Sequence, residues 1–185
     1  HGNGPQVGQI LQRNELSSQQ VPAQPFASAS AQSQGYIGYM IQESIKSRYP
    51  SEDVVTLLTM TEVDEADLAF QNPTKPIGLF YSEEEVPELE KKGWILGEDA
   101  GRGYRRLVPS PKPVKIVEGN LIKTLLESGA VVIACGGGGI PVVNKDDRYI
   151  GQDAVIDKDS AALTLAENIN ADILMILTDV PYVYI

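Results

Sequence analysis

The run Ala130-Val131-Val132-Ile133-Ala134-Cys135 opens directly onto Gly136-Gly137-Gly138-Gly139-Ile140-Pro141. A short, unbroken apolar run reads as a strand buried on both faces, which is how strands sit in a parallel sheet covered by helices. Glycine loses more backbone freedom on ordering than any other residue. Four in succession after such a strand are expected to clear side chains where a ligand's polar atoms approach the main chain, at the carboxyl edge where open α/β sheets bind substrates. Cys135 has no evident base beside it and reads as a core thiol, not a nucleophile.

A second stretch, Gln152 to Val180, reads as loop, helix and strand. Ala162, Leu165, Ala166 and Ile169 recur at i, i+3, i+4 and i+7, so one face of a helix over about 159–168 is expected to be buried. Ile173 to Leu177 then reads as a fully buried strand. The helix opens on Asp157-Lys158-Asp159, where carboxylates suit the cap and the positive end of the peptide dipole. A lysine there is mildly unfavourable unless it shares an anion with the free N–H groups. Lys158 is therefore either part of a phosphate site or a solvated surface lysine.

The rest of the chain alternates strand and helix. His1-Gly2-Asn3-Gly4-Pro5-Gln6-Val7-Gly8 reads as a glycine-rich turn into a helix over about 5–15, with Pro5 where a first turn tolerates it. Its third glycine comes one residue late for a dinucleotide fingerprint, and no acidic residue follows to hold a ribose, which argues against a nicotinamide site. Residues 17–33 read as a loop into a helix over about 32–48, with Ile37, Ile41 and Ile45 as its packing residues. A strand is expected at 54–60. In Asn72-Pro73-Thr74-Lys75-Pro76-Ile77-Gly78, two prolines stiffen the backbone around Lys75, as either a placed charge or an ordinary exposed turn. Ser82 and Glu85 have capping-box spacing at the start of an acidic helix. Residues 94–113, with Arg102, Arg105 and Arg106, read as a hairpin-rich insertion. An amphipathic helix over 118–128 ends at Gly129, and residues 142–150 read as an exposed hairpin around Asp146-Asp147. The alternation predicts α/β architecture, a three-layer αβα sandwich around a mainly parallel open sheet.

Composition closes off several functions. A formal charge of −10 over 185 residues argues against a nucleic-acid surface, so an anionic substrate must be held by a few placed lysines. One cysteine and one histidine leave almost no material for a thiol metal cluster, a zinc site or Ser-His catalysis, and they fit a reducing, cytoplasmic setting. No apolar run reaches a membrane-spanning length.

Six motifs, taken together and in order, carry a resemblance: H-G-N-G-P-Q-V-G at 1–8, N-P-T-K-P-I-G at 72–78, E-D-A-G-R-G-Y at 98–104, V-P-S-P-K-P at 108–113, C-G-G-G-G-I-P at 135–141 and A-V-I-D-K-D at 154–159. The chain resembles the carbamate kinases nearly end to end. That resemblance implies the amino-acid kinase fold over residues 1–185 as a single domain, with a small protruding lid and hairpin insertion at about 60–113. It implies reversible phosphoryl transfer between ATP and carbamate, giving ADP and carbamoyl phosphate, with Mg²⁺, in a homodimer often serving arginine breakdown. Gly2, Asn3, Gly4, Gly136 and Gly137 match the substrate-lining glycine loops. Lys75 and Lys158 match lysines that neutralise the transferred phosphoryl, and Asp159 matches the aspartate that orients them. Asp157, Lys158, Thr178, Asp179 and Val180 match the nucleotide side. A strand with a Gly-Gly-Asn turn is expected ahead of His1 and an ATP-contacting lysine beyond Ile185. The rival readings are a family member acting on another small acid or a nucleotide, and a non-catalytic nucleotide-binding fragment.

Overall fold

The computed structural model describes residues 1–177. Its centre is one extended path in two pieces, β1 (Val54–Thr56) and β2 (Met60–Val63), where a single strand was expected. The path breaks because it changes partner. Strand β1 runs parallel to β7 (Val131–Ile133), while β2 runs parallel to β8 (Ile140–Lys145) and antiparallel to β6 (Pro113–Ile116). Leu57 N–H donates to the Ile133 carbonyl at 3.0 Å and Ile140 N–H to the Thr59 carbonyl at 2.8 Å, so pairing carries across both breaks. Strand β8 returns as β9 (Arg148–Gly151) through Asp146 and Asp147, whose φ values of 50° and 62° make the tight turn of the expected hairpin. The hairpin is exposed only toward its tip and β9: Val142 and Val143 are 3% and 4% exposed because β8 pairs with β2 inside the body. The mixed α/β class expected from the alternation is what forms.

Helix α1 (Gly4–Ser17) and helix α2 (Phe26–Arg48) follow the glycine-rich turn. Helix α2 begins six residues before the expected start at Gln32. Its buried face is Phe26, Ala29, Ser30, Ser33, Gln34 and Gly38, small and polar residues that look like loop composition but let the helix lie close to β1. The isoleucines thought to pack its core are only half-buried.

A second sheet, with order β3-β5-β4, is formed by β3 (Lys75–Tyr81), β4 (Ile95–Glu98) and β5 (Tyr104–Val108), all antiparallel. Helix α3 (Val86–Lys91) follows the capping box, in which Ser82 N–H donates to Glu85 Oε2 at 2.8 Å. This sheet spans Lys75–Val108. The ends of the 60–113 segment, β2 and β6, belong to the sheet of the body. Arg102 and Arg105 pair with Asp99 around the Phe80 ring, but only Arg102 is a surface pair. Arg105 is 20% exposed and also donates to the Gly78 carbonyl, and Arg106 stacks over Trp94 with no acidic partner among the described residues.

Helix α4 (Gly119–Glu127) is closed by Gly129 at φ +90°, and helix α5 (Lys158–Ile169) is capped by Asp157, whose carboxylate accepts from Asp159 N–H and Ser160 N–H. Three apolar clusters hold the layers together. Val7, Phe26, Ala29, Ile77 and Val108 join α1 and α2 to the second sheet. Val63, Val143, Ile156 and Ala161 seat α5 on β2 and β8, and Ile116, Ile122 and Cys135 lie beneath α4 and the end of α5.

Two strand expectations fail. Strand β7 is short and Val131 is 37% exposed, because its ladder has a partner on one side only among the described residues. Ile173–Leu177 has strand composition but finds no ladder among those residues, and Leu177 is 87% exposed. Composition supplies the propensity for a strand; a neighbouring backbone must supply the hydrogen bonds.

Candidate functional site

Lys75 and Lys158 are far apart in sequence, yet both line one small pocket of about 190 Å³. Gly2, Asn3, Gly4, Gly137, Ile156 and Asp157 complete most of its wall. Three local causes bring these groups together. The two prolines set the start of β3, which carries Lys75. The Asp157 cap starts α5 beside it, and the turn ahead of α1 delivers Gly2 to Gly4. Helices α1 and α5 therefore point their N-termini at the same space, and that is where peptide dipoles favour an anion.

The charges are poised and partly balanced. Lys75 Nζ lies 3.4 Å from Asp157 Oδ2, and Lys158 Nζ lies 2.7 Å from Asp159 Oδ1. Partial burial works to raise the Asp157 pKa, but the N–H groups of Ser160 and Asp159 and the Lys75 ammonium outweigh it and hold the carboxyl below its usual range. Asp157 is thus ionised at neutral pH and spends its charge on the α5 cap and on Lys75. The α1 N-terminus has no side-chain cap, so the N–H groups of Gly4 and Gln6 remain open to a ligand, Pro5 having none.

Packing gives the glycine bend a reason of its own, beside the ligand approach that was expected. A Cβ on Gly137 would lie 2.0 Å from the Asn3 amide, and one on Gly139 would lie 2.0 Å from Thr61 Oγ1. Gly138 meets the Ile156 carbonyl at 2.3 Å, whereas at Gly136 the near atoms belong to the exposed His1 ring, which can swing aside, with Gln34 Cγ at 3.3 Å. The protein itself fills the space the missing side chains leave. Gly137 alone of the four lines the pocket, at φ +65°, with its N–H donated to the His1 carbonyl at 2.8 Å. Gly136, expected beside the substrate, lies one residue back under His1 and Gln34.

The sequence did not point to what supports this bend. Gln34, 1% exposed, accepts from Thr59 N–H at 2.8 Å and donates to the carbonyls of Thr59 and Gly136, each at 3.2 Å. Thr59 Oγ1 accepts from Cys135 N–H at 3.1 Å, and Thr61 Oγ1 donates to the Gly138 carbonyl at 2.8 Å. Ser33 accepts from Asn3 Nδ2 at 2.8 Å. Nothing local marks these residues, because glutamine, serine and threonine at such positions read as surface. Burial, with a smaller push from Glu118, takes the Cys135 thiol up to about 12, so it stays protonated and inert, as expected.

Thr178, Asp179 and Val180 lie outside the described residues. Among the described residues no group of three or more His, Cys, Asp or Glu could hold a metal ion, and no helix is long and apolar enough to cross a membrane.

An open α/β sheet whose glycine bend, two lysines and paired helix N-termini meet in one small pocket defines a domain suited to holding a phosphoryl-sized anion. The pattern of the amino acid kinase family matches residues 1–185, and the chain belongs to that family. It is 55% identical to the carbamate kinase of Pyrococcus horikoshii over 187 residues, covering 97% of this chain and 60% of the relative. It is 56% identical to the carbamate kinase of Clostridium perfringens over 188 residues, with the same coverage of 97% and 60%. A solved carbamate kinase from Giardia lamblia bound to AMP-PNP superposes with a TM-score of 0.87 at 48% identity, over 97% of this chain and 58% of that one. A crystal structure from Aeropyrum pernix K1 gives 0.90 at 43% identity, over 99% and 61%. The chain thus spans about 60% of the length of the curated relatives it matches.

Proposed function

We propose that the protein carrying this chain transfers a phosphoryl group reversibly between ATP and carbamate, interconverting these with ADP and carbamoyl phosphate. The observation that carries this reading is the joint presence of Lys75, Lys158, Gly137 and the uncapped α1 N-terminus in a single pocket of about 190 Å³. Carbamate is already an oxyanion, so little proton transfer is required of the protein. Its work is to align the attacking oxygen with the γ-phosphorus and to match the charge of the migrating group. Lys75 from the second sheet and Lys158 from α5 meet that group, Asp159 holds Lys158 in place, and Asp157 holds Lys75. The small pocket volume favours carbamate over a bulkier acceptor such as acetylglutamate or uridylate.

The nucleotide is assigned to the adjoining groove of about 540 Å³, which shares Gly2 and Lys158 with the smaller pocket and is floored by Ala162, Leu165 and Ala166 of α5. This gives the apolar stripe of that helix a ligand face. The described residues provide no carboxylate cage for Mg²⁺, since Asp157 and Asp159 already pair with lysines. The residues therefore fit a Mg²⁺ that arrives on the nucleotide, bound by phosphate oxygens and water, where it would neutralise the β- and γ-phosphates. A cytoplasmic enzyme forming ATP at the end of arginine breakdown is the physiological role we assign.

The test is to offer ADP and carbamoyl phosphate and follow ATP in a coupled assay, with acetylglutamate, aspartate and uridylate as alternative acceptors in the reverse direction. ATP formation that depends on carbamoyl phosphate is expected. ADP binding with no turnover would favour a non-catalytic nucleotide-binding domain. A homodimer is also proposed, supported by exposed Tyr36, Tyr39 and Met40 on α2 beside exposed Leu58. Light scattering should give twice the monomer mass, and Tyr39→Glu should halve it.

A further inference from the structure

Asn3 occupies the N-cap position of α1, where an asparagine ordinarily accepts a hydrogen bond from the first turn of its helix. Here its side chain makes no such bond. The amide is held elsewhere: Nδ2 donates to Ser33 Oγ at 2.8 Å, and Ser33 Oγ donates to the Ser30 carbonyl at 2.7 Å. A carbonyl can only accept, so the single Ser33 proton is committed to Ser30, and Ser33 can offer Asn3 only an acceptor. That fixes which end of the amide faces which way. Ser33 is fully buried at 0% exposure and Asn3, packed beside Gly137, is 8% exposed, so no water competes for the Ser33 acceptor and that acceptor decides which end of the amide faces it. The nitrogen is locked onto Ser33. The carbonyl oxygen Oδ1 accepts no hydrogen bond from any described residue, in a side chain that lines the lysine pocket.

We infer that Asn3 Oδ1 is the acceptor that reads an N–H on the substrate, and that Ser33 is the positioning residue that keeps it turned that way. This rests on the phosphoryl-transfer reading of the pocket and adds to it the basis of acceptor choice. Lysines and helix N-termini recognise negative charge, which carbamate shares with acetate and bicarbonate. Of those three small acids, carbamate alone has an NH₂ group. An oriented acceptor separates it from a methyl group of nearly the same size, because an analogue lacking the N–H strips water from Oδ1 and leaves it unpaired.

Carbamoyl phosphate and acetyl phosphate form a matched pair of probes, alike except for NH₂ and CH₃, and calorimetry on the whole chain measures both. Wild type is expected to bind carbamoyl phosphate about tenfold more tightly than acetyl phosphate. In Ser33→Ala the amide loses its anchor and can present either end, so the preference should fall to within about twofold, mainly through weaker binding of carbamoyl phosphate. A purely structural role for Ser33 would weaken both ligands alike and keep the ratio, which would overturn its assignment. Equal wild-type affinities would overturn the role of Oδ1 while leaving the phosphoryl pocket intact, and this needs no variant to fold. Failure of the wild-type chain to bind either phosphate would overturn the pocket reading itself.

Discussion

Replacing Lys158 with alanine is expected to slow ATP formation from carbamoyl phosphate by about 10²–10³-fold, while thermal stability barely changes. The size follows from removing one donor aimed at developing charge in a site partly shielded from water, about 2.7–4 kcal/mol of barrier. The separation of effects follows from exposure. Lys158 and Asp159 are each 47% exposed, and a solvated ion pair of that kind contributes about 0–1 kcal/mol to folding. Lys75 makes the comparison sharper. Removing it also releases Asp157, whose lowered pKa depends in part on the Lys75 ammonium. Asp157 would still cap α5 through Asp159 N–H and Ser160 N–H, so Lys75→Ala should likewise lose rate and keep its fold. A coupled assay beside a melting curve checks both variants, and normal turnover in Lys158→Ala would remove the lysine from the mechanism.

Gln34→Leu should do the reverse, lowering stability by about 3 kcal/mol. The side chain makes three hydrogen bonds at 1% exposure, and leucine makes none. The largest single loss is at Thr59 N–H, which has Gln34 Oε1 as its partner at the break between β1 and β2. A buried donor left without an acceptor loses its water and gains nothing in return. The Gly136 carbonyl loses its bond to the same side chain, so the glycine bend should loosen as well. Urea denaturation should show a lower midpoint at unchanged slope, and amide exchange at Gly136 to Gly139 should quicken. An unchanged midpoint would mean that water or a shifted backbone replaces the glutamine at no net loss.

Features with a cause within a few residues of themselves were legible in the sequence. The Ser82 and Glu85 box, the Gly129 cap, the Asp146-Asp147 turn and the antiparallel β4 and β5 all follow from short-range rules, and the structure bears them out. The resemblance to carbamate kinases named Gly2, Asn3, Gly4, Lys75, Gly137, Asp157 and Lys158, which the fold carries to the wall of one pocket, and also Gly136 and Asp159, which do not line it. The burial of Ile173–Leu177 and of both faces of 130–135 could not be read in the same way. Burial belongs to the neighbour that covers a strand, and an apolar run does not say whether that neighbour is present.

By itself, then, the sequence determined the caps, the tight turns and the identity of the charged groups, because each depends on local backbone preference or on a residue's own chemistry. Lys75, read as part of a stiffened loop, is instead the first residue of β3, because β5 supplies it a ladder. Only the tertiary structure decided why Gly137 to Gly139 must lack side chains, which end of the Asn3 amide is free, and that Gln34, Ser33, Thr59 and Thr61 hold the bend. Those outcomes depend on atoms from segments 25 to 102 residues apart meeting within hydrogen-bonding distance. A polar residue becomes structural when the chain buries it against a partner, and that pairing is a property of the packed molecule, with no counterpart in the residue's immediate neighbours.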